Sequence, residues 1–350
     1  MPAGSLLRWS ALAGATVGEG AVLTLAGVPS PYLFAALVLG LAAALTRPGT
    51  FALPPPAFLA AQAVLGVVLG AYLTTSSLRA VAASWLPVAL VSAATLAVCI
   101  GVGLALARCA RVDPATSTLG MVAGGASGIV AMADELGADD RLVAFMQYAR
   151  VLLVVLVTPL LAALLFPGAH GAAGGAPDPP LLGSGKDWLI TLVVAPVGVG
   201  LGRAVRLPAG TLLGPLAIAG ALALARPFGA FAVPALLQQA AFILIGLQVG
   251  LRFTVSTVKE VGRLLVPVLL CIVALMVVCF GLAVLLDLMT PVSLLDAYLA
   301  TTPGGLYAVV AVAFGAGANT TFILAVQSVR LLVMVLLAPV VVRRLSAGRS

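Results

Sequence analysis

The chain has 350 residues, 62% of them hydrophobic and only 8% charged, with a net charge of +7. So few charges cannot cover the surface of a soluble domain. The basic residues are scattered at helix ends, so no several-lysine face for DNA exists. Apolar runs long enough to cross a bilayer recur, for example 86–107 and 264–286, and the class expected is an all-α polytopic membrane protein.

The first segment expected, about 6–27, carries Arg8 near its start and is interrupted by Glu19. That break makes it a retained membrane helix rather than a secretory signal. Further segments are expected near 31–46, 57–78, 84–108 and 141–166, with an interrupted one at 112–136. Pro167 to Asp187 is a Gly/Pro-rich linker without helical period and holds the single histidine, His170. Beyond it come segments near 188–206, 210–225, 234–253, 263–287 and 320–343, and an interrupted one at 292–316. The domains expected are membrane repeat 1 (1–166), the linker (167–187), membrane repeat 2 (188–343) and a basic tail (344–350). The cluster "RRLSAGR", Arg343 to Arg349, reads as a cytoplasmic anchor.

The repeat assignment rests on a gapless self-match at an offset of 180 residues. Thr74–Leu90 lies over Thr254–Leu270, and Gly124–Pro159 lies over Gly304–Pro339. Identity there is roughly a third, against about a tenth expected from such a composition. The less common residues carry the match: Gly66/Gly246, Gly70/Gly250, Pro87/Pro267, Cys99/Cys279, Gln147/Gln327, Arg150/Arg330 and Pro159/Pro339.

The interrupted segments are too short to span as single helices. The dozen residues after Gly304 make about 18 Å of helix, against a hydrocarbon core of roughly 30 Å. Pro303 cannot continue the preceding hydrogen-bond ladder, and Gly304-Gly305 permits a sharp turn. Gly317 to Asn319 then supplies a terminating glycine and an Asn cap. The first half repeats this with Gly124-Gly125 and Gly137 to Asp140, but has Ala123 where the second has Pro303, which softens its kink. Each half thus reads as a Gly-Gly-broken, discontinuous helix. Two geometries fit: a crossing helix, giving six spans per half and parallel repeats, or a re-entrant hairpin, giving five spans and inverted repeats. Lys and Arg divide almost evenly in either, so orientation stays open.

Broken helices at matching positions point to a transport or ligand site near the bilayer midplane. The substrate-binding candidates are Gly124, Gly125, Gln147, Arg150, Thr302, Pro303, Gly304, Gly305, Asn319, Gln327 and Arg330. Amides freed after Gly304-Gly305 suit an anion or carboxylate, and unwound carbonyls before it suit a cation. Gln147 and Arg150, like Gln327 and Arg330, share a helix face at spacing i, i+3. An arginine at such depth either clamps substrate or ties the freed carbonyls. Glu19, Asp134 and Glu135 are candidate ion or proton sites, with solvated loop and helix capping as the alternative for the acids near the first break. Gly66-x3-Gly70 and Gly246-x3-Gly250 have the spacing of packed membrane helices. The four cysteines read as small hydrophobes.

The combination of Gly-Gly, Gly-Ala-Asp/Asn, Gln-x-x-Arg and Pro resembles the bacterial AbrB-type membrane protein family with the AbrB duplication, over nearly the whole chain. It is strongest at Gly304 to Pro339. The resemblance implies regulation of gene expression or, under another label, an ammonia monooxygenase. The single histidine and the lack of a His/Cys/Asp cluster disfavour an oxygenase metal site. The expectation is therefore a non-enzyme without catalytic residues, metal or cofactor: an inner-membrane, multi-pass secondary transporter or exporter of a small organic anion or zwitterion. Its partners would be the lipid bilayer, the solute and a coupling ion or proton, with no direct nucleic acid and a homo-oligomer left open. The alternative is a membrane-embedded regulator sensing a ligand in the same cavity.

Overall fold

The computed structural model describes residues 3–28, 30–124, 129–130, 133, 136–165, 180–207, 209–227, 229–252 and 262–347. Among them no strand occurs. The helices are α1 (Ala3–Leu25), α2 (Pro31–Thr46), α3 (Pro55–Ala71), α4 (Thr75–Ala83), α5 (Trp85–Ala110), α6 (Pro114–Met121) and α7 (Asp140–Leu165). They continue as α8 (Gly185–Ala204), α9 (Gly210–Ala225), α10 (Ala235–Gly250), α11 (Leu265–Met289), α12 (Leu294–Thr301), α13 (Leu306–Gly315) and α14 (Thr320–Ala347). A 3-10 turn, Gly262–Leu264, precedes α11.

Four stretches, Trp85–Ala110, Asp140–Ala162, Gly185–Ala204 and Gly262–Met289, are long and apolar enough to cross a membrane. Helix α11 explains why water is the wrong solvent for them. Val268, Ile272, Leu275, Cys279, Ala283 and Leu286 form its buried stripe, yet Val266, Leu270, Val277 and Leu288 stand exposed on the other side. A helix apolar on both faces belongs in lipid.

One expected segment, 57–78, is two elements. Helix α3 stops at Ala71, and α4 restarts at Thr75. The break falls at Tyr72 to Thr74, and Thr74 stands just ahead of α4, where a hydroxyl residue suits a helix start.

The chain forms two compact units. The first comprises Met1–Ala80, Pro159–Arg252 and Val310–Thr321; the second comprises Val81–Thr158, Phe253–Val309 and Phe322–Ser350. In the first, α3 packs on α9 and α10, α2 on α10, α9 on α8 and α1 on α2. Glycines set these approaches. A Cβ on Gly70 would lie 2.6 Å from the Leu216 carbonyl oxygen, and one on Gly66 would collide with the Leu212 carbonyl. Gly246 and Gly250 stand in the same relation to the Leu33 and Leu37 carbonyls. The small-residue spacing is therefore a packing device. A polar tie crosses this seam, Thr211 Oγ1 donating to Gln62 Oε1 at 2.5 Å.

In the second unit α5 packs on α11, α6 on α5 and α12 on α11. Its short helices start from side-chain caps. Asp113 accepts from the Ala115 and Thr116 amides ahead of α6, with Pro114 at the first turn. Ser293 accepts from the Asp296 amide ahead of α12. These caps satisfy amides that no helical carbonyl reaches.

Substituting Gly66 or Gly246 by Ala is expected to force α3 from α9, or α10 from α2. The cost should be about 1–3 kcal/mol. Gly281→Ala on α11, where nothing lies within 4 Å of the new methyl, should leave stability unchanged or slightly raised. Thermal unfolding of the detergent-solubilised protein reads both.

Candidate functional site

Helix α6 leaves helical geometry after Met121, so its last carbonyls have no amide to accept from along the chain. Gln147 and Arg150 on α7 supply the donors. Gln147 Nε2 donates to the Leu119 carbonyl at 2.6 Å and to the Val122 carbonyl at 2.8 Å. Arg150 Nη1 donates to the Met121 carbonyl at 2.9 Å and Nη2 to Gln147 Oε1 at 2.8 Å. The same construction closes α12. Gln327 Nε2 donates to the Leu299 carbonyl at 3.0 Å and the Thr302 carbonyl at 3.2 Å. Arg330 Nη1 donates to the Thr301 and Thr302 carbonyls at 3.1 and 2.8 Å, and Nη2 to Gln327 Oε1. Each guanidinium also meets the negative end of a short helix dipole, worth up to ~2 kcal/mol when partly buried.

The bond pattern fixes directions. Asp139, at the start of α7, donates its amide to Thr116 Oγ1 in the first turn of α6 at 3.0 Å. Farther along, Gln147 meets Leu119 and Val122, and Arg150 meets Met121. Residue numbers rise together on both helices, so α6 and α7 run in the same direction. In α12 and α14 the pairs Leu299 with Gln327 and Thr301 with Arg330 rise together as well.

Glycine is required where these segments bend. A Cβ on Gly304 would lie 2.8 Å from Val154 Cγ1 and 2.6 Å from Val309 Cγ2. A Cβ on Gly305 would meet Val151 at 3.3 Å, and one on Gly124 would meet Met334 Cβ at 3.2 Å. The second break thus rests on α7 one turn past Arg150, and the first on α14 one turn past Arg330. Farther on, Gly317 adopts φ +67° and ends α13, the Ala318 amide reaching back to the Ala313 carbonyl. Gly137, at φ +71°, does the same before α7, and Asp139 Oδ1 caps that helix by accepting from the Arg141 and Leu142 amides at 3.0 Å.

The structure brings together Gly124, Gln147, Arg150, Thr302, Pro303, Gly304, Gly305, Gln327 and Arg330, all in the second unit. Arg150 and Arg330 are only 1% and 3% exposed. The expectation that the carbonyls before each break await a cation is corrected: those described accept from the Gln and Arg side chains. The tie is what the arginines make. Each retains an Nε–H without a hydrogen-bond partner. Their ionisable neighbours are each other, Cys99 and Cys279, with no carboxylate among the described residues.

Other candidates are not assembled here. Glu19 is half-buried on α1 and Asn319 precedes α14, both in the first unit. Gly125, Asp134, Glu135 and His170 lie outside the described residues. No group of three or more His, Cys, Asp or Glu able to hold a metal ion occurs among the described residues. Sequence reasoning missed Val154 and Met334, which hold the breaks, although the 180-residue offset pairs them.

Arg330→Leu would take the guanidinium donors from the Thr301 carbonyl and Gln327 Oε1, both buried, while the Thr302 carbonyl keeps Gln327 Nε2 and the Gly304 amide. A loss of about 1–3 kcal/mol per unsatisfied group is expected. Arg330→Lys keeps the charge but not the fork, and should fall between. Arg150 substitutions should rank alike in thermal unfolding.

The family model described as "Transition state regulatory protein AbrB" matches residues 32–346. The chain is 35% identical over 322 residues to "Putative regulator AbrB" of Escherichia coli (strain K12), covering 91% of each. It is 27% identical over 344 residues to "Uncharacterized protein YhjN" of Bacillus subtilis (strain 168), covering 91% of this chain and 88% of that one. The chain belongs to the AbrB family.

Proposed function

We propose that this is a multi-pass inner-membrane secondary transporter or exporter of a small organic anion or zwitterion, working by alternating access. One observation carries this reading: two guanidiniums lie buried together, each with an unpartnered Nε–H and no carboxylate among the described residues. Such charges cost several kcal/mol in a bilayer unless water or an anion reaches them. We read the halves as repeats and the α6 and α12–α13 segments as discontinuous, re-entrant helices, the usual surroundings of a midplane site.

The shared direction of α6 and α7, and of α12 and α14, supports the re-entrant geometry. Each half then crosses five times, by α1, α2, α3, α5 and α7 and by α8, α9, α10, α11 and α14. Five is odd, so the repeats are inverted. Charge supports the same reading. Of the 18 Lys and Arg, Arg150 and Arg330 are interior and Arg79, Lys186 and Arg226 fall on one side. Every other one among the described residues falls on the side where α1 starts. A crossing segment would instead send Arg141, Arg203, Arg206, Arg252 and Arg263 to join Arg79. The even division expected from the sequence thus belongs to the crossing geometry alone. The positive-inside rule makes the α1-start side cytoplasmic.

Cysteines replacing Arg111 and Arg141, which flank the first re-entrant segment, should therefore both react with an impermeant maleimide from the cytoplasmic side only. A cysteine replacing Arg79 should react from outside. Opposite labelling at 111 and 141 would sink the inverted reading.

The regulator reading keeps its place because of the name that the Escherichia coli relative carries. Purified protein in liposomes, challenged with labelled small organic acids and amino acids, separates the two. Transport predicts saturable uptake that falls on the order of tenfold in Arg330→Lys. Binding without flux would leave the regulator.

A further inference from the structure

The 180-residue offset pairs Cys99 with Cys279, and the fold brings both to the arginines. Cys99 on α5 and Cys279 on α11 are 0% and 1% exposed, and their helices pack together. The ionisable neighbours of Cys99 are Arg150 and Arg330, and those of Cys279 are Cys99 and the same two arginines. Backbone groups place each cysteine at its break. The Ala123 amide lies beside the Cys99 sulfur, two residues past the Met121 carbonyl that Arg150 holds. The Cys279 carbonyl accepts from Thr301 Oγ1 at 3.2 Å, and the Thr301 carbonyl accepts from Arg330 Nη1 at 3.1 Å. Two thiols and two guanidiniums therefore share one buried neighbourhood. Leu96, Leu119, Val122 and Leu275 belong to the same apolar cluster as the thiols.

This neighbourhood sorts ligands by what their bodies carry. Each guanidinium has an unpartnered Nε–H to offer a carboxylate. A thiol is a weak donor that otherwise behaves as a small hydrophobe, so the groups beside that carboxylate suit methylenes. An ammonium would meet two positive charges instead. The described carbonyls freed at the breaks would not help it, because they already accept from Gln147, Arg150, Gln327 and Arg330. A ligand hydroxyl fares little better. The Thr301 hydroxyl beside Cys279 already donates to the Cys279 and Ala297 carbonyls, and sulfur is a poor partner. A buried polar group left unpaired lowers affinity about tenfold or more.

We infer that Cys99 and Cys279 are binding residues of the arginine site, the weakly polar wall for the body of the ligand, and that this ligand is a carboxylate with an apolar body rather than a zwitterion. The inference rests on the anion site of the transport reading and names the ligand class for it.

Thermal unfolding of the purified full chain tests it, with straight-chain carboxylates from acetate to hexanoate, each beside its 2-hydroxy and 2-amino counterparts at matched ionic strength. At least one carboxylate should give a saturable rise in Tm, and its 2-amino counterpart should give none. Cys99→Ser and Cys279→Ser put a hydroxyl where the thiol was. The half-saturating concentration of the 2-hydroxy acid, relative to that of the plain carboxylate, should then fall about tenfold. A merely structural cysteine would change Tm in these variants and leave that ratio where it was. A further measurement leaves the site unaltered. With Cys109→Ser and Cys271→Ser, Cys99 and Cys279 are the remaining thiols, and the same carboxylate should slow their alkylation by N-ethylmaleimide about tenfold. An unchanged ratio in both serine variants overturns the inference. So does a 2-amino acid that binds as well as its carboxylate, an alkylation that no carboxylate slows, or the lack of any rise in Tm. Flux in liposomes separates this from the transport reading. Saturable uptake of amino acids alone would keep transport and sink the carboxylate. A carboxylate-dependent rise without flux would sink transport and leave the site standing.

Discussion

The structure depends on how backbone carbonyls are satisfied where helices stop inside an apolar environment. Leu119, Met121, Val122, Leu299, Thr301 and Thr302 have no helical amide to accept from, and no water competes in a bilayer core. A Gln-x-x-Arg pair answers this twice, glutamine taking two carbonyls while bracing the guanidinium that takes the others. Break and arginine are therefore one device. Without the break the arginine would be an uncompensated charge, and without the arginine the break would be a set of orphaned acceptors.

That device explains the neighbouring choices. The carbonyls must approach α7 and α14 closely, so the residues that follow them are glycines pressed against Val154, Val151 and Met334. The short helices must begin at defined positions for their ends to meet the arginines, and Asp113 and Ser293 cap them. The Asp139 amide on Thr116 sets the level at which α7 starts.

The sequence by itself determined that the chain is helical and lipid-adapted, that its halves match at 180 residues, and that glycine, Gln-x-x-Arg and proline recur in register. Periodicity, composition and rare-residue matches report these because each is a local property or a repeat of one. Helices at 31–46 and 210–225 were legible to the residue, since Pro31 and the flanking turn residues punctuate them. The 57–78 segment was misread because an apolar count passed over the short turn at Tyr72 to Thr74 that divides it. Only the tertiary structure decided whether the arginines tie carbonyls and that α6 runs alongside α7 rather than against it. Those are pairings between residues 23 to 29 positions apart, and a linear pattern cannot specify which freed acceptor a distant donor reaches.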